Sequence, residues 1–396
     1  ALSAASGNSS ASSLYVEDVF STFLYDGTGS TLTINNGIDL DGEGGVVWIK
    51  QRSGTEKHVL AYDENKYLSS NTTDAVTTNV NYVQSFNSNG FQVGVASPVN
   101  NNGSTFASWT FRKAEKFFDV VTYTGNYTAG TTIAHNLGSA PKMMFIKNTS
   151  GTGGGNRDWI VYHASLGGTK FLSLNLTASE TTRAAEFNNT DPTSSVFTLG
   201  GGFNTNQTGE SYVAYLFASD AGGFGDDGDE NIIKCGGYTA DSSNAYPVTL
   251  GFEPQFVLIK RTDSSGNWEM IDTMRSFTAE AAGQEFLYSN LNNAEASDSG
   301  AYLTSTGFVA SNQSASNGAS YIYMAIRRPM KTPTAGTEVY NPAAFTGSGS
   351  ARTVAFNNPI DTAIIDWRSG SNSEGANFVA HRLLGKYFAI NCRRSN

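Results

Sequence analysis

The sequence predicts an all-β protein of tandem β-sandwich, jelly-roll-like repeats, each of about 100 residues. Three observations carry this expectation: composition, alternation and an internal repeat. Charged residues make up 15% of the 396 residues, against about 25% in an ordinary soluble domain. Gly, Ser, Thr and Asn take their place, and aromatics reach 12%. Ser, Thr and Asn side chains compete with helical backbone bonds, whereas Thr, Val, Tyr and Phe suit pleated sheet. Large and small or polar side chains interleave in Phe106-Ala107-Ser108-Trp109-Thr110-Phe111, the pattern of a strand. Asp26-Gly27, Asn36-Gly37, Asn89-Gly90 and Asn102-Gly103 are hairpin signals.

The repeat rests on three landmarks that recur in one order. The first is an apolar strand ending in Ile-Lys: Val46-Val47-Trp48-Ile49-Lys50, Met144-Phe145-Ile146-Lys147, Val257-Leu258-Ile259-Lys260 and the variant Ile364-Ile365-Asp366. Its last residues are 97, 113 and 106 positions apart. The second is a short strand running into Asn, at Tyr67–Asn71, Phe171–Asn175, Phe286–Asn290 and Tyr387–Asn391. The third is a Phe-led strand (Phe91, Phe197, Phe308), then a polar loop and an aromatic strand starting at Phe106, Tyr212 or Tyr321. Matching offsets of three landmarks define repeats at 19–115, 116–220 and 231–330, each of about seven or eight strands. Residues 1–18 form a flexible arm in this reading, and the Gly/Asp-rich 221–230 a linker. Residues 331–396 are a connector and an incomplete fourth repeat, so the chain is expected to continue past Asn396.

Composition excludes several function classes. With 25 basic and 35 acidic side chains, net charge −10, the chain carries no basic stripe, so no nucleic-acid partner is expected. No apolar run approaches the ~18 residues of a span, so no membrane insertion is expected. Two cysteines in different repeats, Cys235 and Cys392, exclude a disulfide framework and read as free buried thiols.

Searching for chemistry gives few candidates. Asp226, Asp227 and Asp229 place carboxylates in a Gly-containing loop at a repeat junction, where a hard cation could stiffen the joint; they are the metal candidates, ahead of Asp39, Asp41 and Glu43. His163, Asp272 and His381 occupy corresponding places in successive repeats and therefore do not form one active site. Ser165 beside His163 is not a nucleophile elbow. Gly151-Thr152-Gly153-Gly154-Gly155 lacks the Lys-Ser/Thr of a phosphate loop. Trp48, Trp109 and Trp159 lie in apolar strands and read as core, leaving Trp367 as the exposed candidate. No residue pattern calls for a cofactor, no catalytic residue is assigned, and the chain reads as a non-enzyme.

Segments from about residue 14 onward resemble a repeat domain of unknown function in tailed phages of marine bacteria. They include Tyr15–Thr22, Asn35–Lys50, Ser108–Ala114, Phe118–Asn126, His135–Gly138, Trp159–His163, Tyr212–Ala218 and Ala325–Lys331. The resemblance implies a virion structural protein of the tail-fibre kind, on the particle surface. It also implies a homo-oligomer, with a trimer as the fibre-like state, contacts to other virion proteins and, at the outer end, a host surface glycan. The competing readings are a cell-surface carbohydrate-binding or glycan-degrading protein and a capsid decoration protein.

Overall fold

The landmark strands of the first three repeats are buried on both faces, which is why they read as apolar runs. The structure, a computed structural model, describes residues 13–151, 157–279, 283–297, 300–336, 340, 342–347, 350, 354, 362–365, 378–381 and 390–391. It is mostly β. In the first module one sheet runs Phe20–Asp26, Thr105–Arg112, Gly45–Gln51, Val59–Asp63, Lys66–Leu68, Thr77–Thr78 in spatial order. The second module repeats it with Phe118–Thr124, Ser211–Phe217, Met143–Asn148, Ile160–His163, Lys170–Ser173, Thr181–Thr182. The third does so with Ile233–Thr239, Ser320–Arg327, Pro254–Arg261, Trp268–Asp272, Glu285–Tyr288, Ala296–Ser297. All pairings are antiparallel, and each module's last strand inserts between its first and its landmark strand.

A smaller sheet is built alongside each: Leu32–Asn35, Gly90–Val93 and Val83–Asn87 in the first module, Thr131–Ala134 with Val196–Leu199 in the second, and Ala245–Thr249, Gly307–Ser311 and Ala301–Thr304 in the third. The Phe-led landmark sits here, and Phe91, Phe197 and Phe308 are wholly buried. The glycine before Phe91 is required by close approach: at Gly90, φ is +132° and an added Cβ would lie 2.0 Å from the Ile34 carbonyl oxygen. Gly27, read as a turn residue, has no positive φ; it runs against the Asn101 carbonyl instead.

Alternate residues of the first and third landmark strands divide between two cores, whereas Met143, Met144, Phe145 and Ile146 of the second all join one. Val47 and Ile49 pack under the first module's small sheet, and Val257 and Ile259 under the third's. Val46, Trp48, Phe256 and Leu258 point the other way, into one core shared by all three modules with Phe145, Trp159 and Tyr215. At its centre Phe111 lies 5.6 Å from Phe217 of the second module and 6.4 Å from Phe256 of the third. Phe20 lies 5.8 Å from Phe256.

The modules therefore close into a ring. Val76 N–H of the first bonds the Thr149 carbonyl of the second at 3.2 Å. Glu180 N–H of the second bonds Thr262 of the third, and Glu295 N–H of the third returns to Arg52 of the first, both at 2.8 Å. A shared core makes the three interdependent, so thermal unfolding is expected as one cooperative calorimetric transition. Separate transitions for individual modules would contradict the shared core.

Two boundary expectations change with this closure. Residues 13–18 are not a free arm: Val16 is buried in the helix Val16–Val19, and the Glu17 carboxylate accepts from Met330 N–H and Lys331 N–H. The 221–230 segment is not a free linker either. Phe224 is buried 6.4 Å from Phe117, and its N–H and C=O side pairs with Glu230 as a bridge. Of the fourth repeat, Thr362–Ile365, Phe378–His381 and Ile390–Asn391 form a three-stranded antiparallel sheet.

Candidate functional site

The seams are where residues of the first two landmarks meet, and there they have bonding roles. Lys50, Lys147 and Lys260 end equivalent strands and are fully buried. Their ammonium groups are held by carbonyls: Lys147 Nζ donates to Thr73 O of the first module at 3.1 Å, and Lys260 Nζ to Thr177 O of the second at 3.2 Å. Lys50 Nζ donates to Gln51 O and Gly54 O. Burial pulls all three down to about 8.

The next strand opens with a ring N–H aimed across the seam. Trp159 Nε1 donates to Ser69 O and Trp268 Nε1 to Ser173 O, both at 3.0 Å. His58 takes that place in the first module, its Nε2 lying 3.0 Å from Tyr288 O. The landmark asparagines hold these residues in place: Asn71, Asn175 and Asn290 accept the backbone N–H of His58, Trp159 and Trp268 at 3.1, 2.9 and 2.9 Å. Trp268→Phe removes one cross-seam bond and leaves the Ser173 carbonyl held by Leu176 N–H at 3.2 Å. It is expected to cost about 0.5–1.5 kcal/mol, read from the denaturant midpoint.

The seam between the third and first modules has no covalent connection and carries a buried charge cluster. Asp272 and Arg275 are buried. Asp272 Oδ2 accepts from Arg275 Nε at 2.7 Å and from Trp109 Nε1 at 3.0 Å. The guanidinium also reaches Glu295 Oε1 at 3.2 Å and Met270 O at 2.9 Å, and lies 5.2 Å from the Trp109 ring centroid. Arg52 of the first module clasps Glu295 with two nitrogens, at 3.0 and 2.7 Å, and meets Glu285 at 3.3 Å. Sequence reasoning missed this cluster: Arg275, Glu285 and Glu295 carry no spacing that announces it.

Histidine chemistry is likewise committed to structure. His163 Nδ1 accepts from Ser165 N–H, so Nε2 carries the proton toward Tyr323 O of the third module at 3.3 Å. His58 accepts from Trp48 Nε1 at 2.9 Å, and His135 from Leu137 N–H at 3.3 Å. Burial depresses His58 to about 3 and His163 to about 4, so both are neutral at physiological pH with no lone pair left for a general base. His163 and Asp272 do not form a joint site, and the modules holding them are nevertheless in contact. The side chain of His381 lies outside the described residues, as do Trp367 and Cys392. Cys235 is a free thiol that burial pushes well up.

Among the described residues no three His, Cys, Asp or Glu side chains gather to hold a metal ion. Of the proposed trio, Asp226 accepts a hydrogen bond from the Tyr15 hydroxyl, tying the N-terminal segment to the junction loop. Trp48, Trp109 and Trp159 are core, as their strands predicted.

One family model spans residues 16–329, from the helix Val16–Val19 to just beyond the strand Ser320–Arg327. The chain belongs to the family described as Domain of unknown function (DUF7483). The DUF7483 match covers all three modules together, so the family unit coincides with the closed ring. A comparison with curated proteins finds none that matches.

Among the described residues, two depressions lie on the surface of the DUF7483 unit. The smaller, about 250 Å³, lies over Lys113, Asp119 and His135. Its groups are already used: Asp119 accepts from Asn136 N–H at 2.8 Å and lies 3.6 Å from Lys113 Nζ, and His135 Nε2 is 3.2 Å from Thr193 O. The larger, about 340 Å³, is on the first module beside the stacked rings of Tyr67 and Tyr82.

Proposed function

We propose that the chain is a structural protein of a tailed-phage virion, a tail fibre or related appendage that displays host-binding surface. The observation that carries this reading is the closed ring: buried lysines, ring N–H groups and an arginine–carboxylate cluster all hold modules together. Such a unit is a stiff spacer with a free outer surface. The resemblance of the segments quoted above to virion proteins supports this location. In this reading the protein is a non-enzyme on the particle surface, self-associates as a trimer and contacts other virion proteins. Repeated copies turn weak attachment into avidity, by factors of about 10²–10⁴. Among the described residues no helix is long and apolar enough to cross a membrane.

Electron microscopy of the source particle tests the reading. The ring should be found as a three-lobed density in an elongated, oligomeric appendage. Its location flat on the shell would favour a decoration protein, and its absence from the particle would reject the virion role.

A further inference from the structure

The three modules share one framework, so a place where one departs from the other two is informative. The aromatic of the second landmark is Phe171 in the second module and Phe286 in the third, buried to 8% and 4% exposure. In the first module it is Tyr67, half-buried, and its ring stacks on Tyr82 with centroids 3.9 Å apart and planes 13° apart. The second module fills the corresponding region with the helix Ala184–Phe187, whose Phe187 is buried against Tyr162 at 5.5 Å. The first module has no helix between Thr77–Thr78 and Val83–Asn87, and the depression lined by Thr77 and Tyr82 lies there.

What is left open has the chemistry of a sugar site. The depression of about 340 Å³ falls near the lower end of ligand-site volumes, a few hundred Å³ upward. Tyr67, Tyr82 and Pro98 give it an apolar, ring-bearing wall. Glu56, Asp74 and Lys57 supply acceptors and donors, with Lys57 Nζ 2.8 Å from Asp74. Aromatic rings take the C–H face of a pyranose, and carboxylates accept from its hydroxyls. Two carboxylates against one ammonium, on a chain of net charge −10, disfavour anionic sugars.

We propose that the depression beside the stacked rings of Tyr67 and Tyr82 binds a neutral pyranose, one or two rings of a surface glycan. This deepens the attachment reading above and rests on it only for where the glycan is presented. The module framework is independent of the site, because Phe occupies the Tyr67 position in the other two modules.

Saturation-transfer NMR on the full chain tests the site, with methyl α-glucoside, methyl α-mannoside, methyl β-galactoside and N-acetylglucosamine as neutral probes and N-acetylneuraminic acid as the anionic one. At least one neutral probe should bind with Kd of about 1 mM. Tyr82→Ala should weaken it about tenfold, the range of one aromatic contact, and Tyr67→Phe, which keeps the ring and loses one hydroxyl, about threefold. Phe203→Ala, an exposed aromatic of the second module, should leave binding unchanged. The site is rejected if no neutral probe binds, if Tyr82→Ala binds as the parent does, or if the anionic sugar is preferred. Sugar binding by a chain that microscopy does not find on a particle would retain the site and remove the virion reading. A chain found in an appendage without sugar binding would do the reverse.

Discussion

Asp272→Ala is expected to lower the unfolding free energy by about 3–5 kcal/mol, the cost of leaving a buried charge without its partner. Arg275 is the charge in question. It is buried, with Nε on Asp272 at 2.7 Å, and the same carboxylate oxygen satisfies Trp109 Nε1 across the seam. Removing the carboxylate orphans two donors from two modules at once. Glu295 remains near Arg275 at 3.2 Å but is already held by Arg52, so it does not replace the lost partner. The double change Asp272→Leu with Arg275→Met removes both charges and should recover much of the loss. Denaturant midpoints of the three variants, with m-values unchanged, give the comparison. A single-variant effect below about 1 kcal/mol would mean the cluster contributes little to closure.

This seam has reason to carry more than the others. The chain itself holds the first module to the second and the second to the third, so those contacts form at high effective concentration. The third meets the first with no linker. The charge cluster and the Glu17 clamp on Met330 and Lys331 both act at that closure. So does Tyr15, which bonds Asp226 and lies 5.7 Å beneath Lys331 Nζ.

The repeated landmarks were legible because each is a short local pattern; in the first three repeats the first two proved to have bonding roles and the third a packing role. Ile-Lys marks a buried ammonium, which crosses the seam at Lys147 and Lys260, and the Asn of the second landmark marks the side chain that holds the N–H opening the strand before it. Closure was not legible. Ser69 and Trp159, or Ser173 and Trp268, lie about ninety residues apart and show no pattern relating them. Composition also misled at 221–230, where Gly and Asp read as linker while Phe224 in their midst was the sign of a packed junction. Tyr67 looked like any other strand aromatic; only comparison with its buried counterparts marks it out.

Glu269→Gln is expected to change the pH dependence of stability by about 3 kcal/mol between pH 4.5 and 7. Glu269 follows Trp268 on its strand, and its side chain is buried. Oε2 accepts from Gly300 N–H at 3.2 Å and Ser314 Oγ at 2.8 Å, but Oε1 meets no donor. Burial therefore lifts the carboxyl from 4.5 to about 7. A carboxyl raised on folding contributes stability that is fully present below about 4.5 and lost as pH rises through about 7. At 1.36 kcal/mol per unit, that shift gives the expected size. Glutamine does not titrate, so the stability of the variant relative to the parent should grow across this window and level off above it. His58 and His163 act in the opposite sense, because their depressed values give stability present above about 6.5 and lost as pH falls. Their contribution is common to both proteins and cancels in the difference. The lysines do not interfere either: their stability is present above 10.5 and lost as pH falls through about 8, outside the window. Urea titrations of parent and variant at several pH values give the difference directly. A flat difference would mean that Glu269 finds water or a donor at Oε1 and is ionised at neutral pH. Ser314 and Gly300 would then be holding a carboxylate inside the third module's core, and a Ser314→Ala change would become costly above pH 7 instead of nearly neutral.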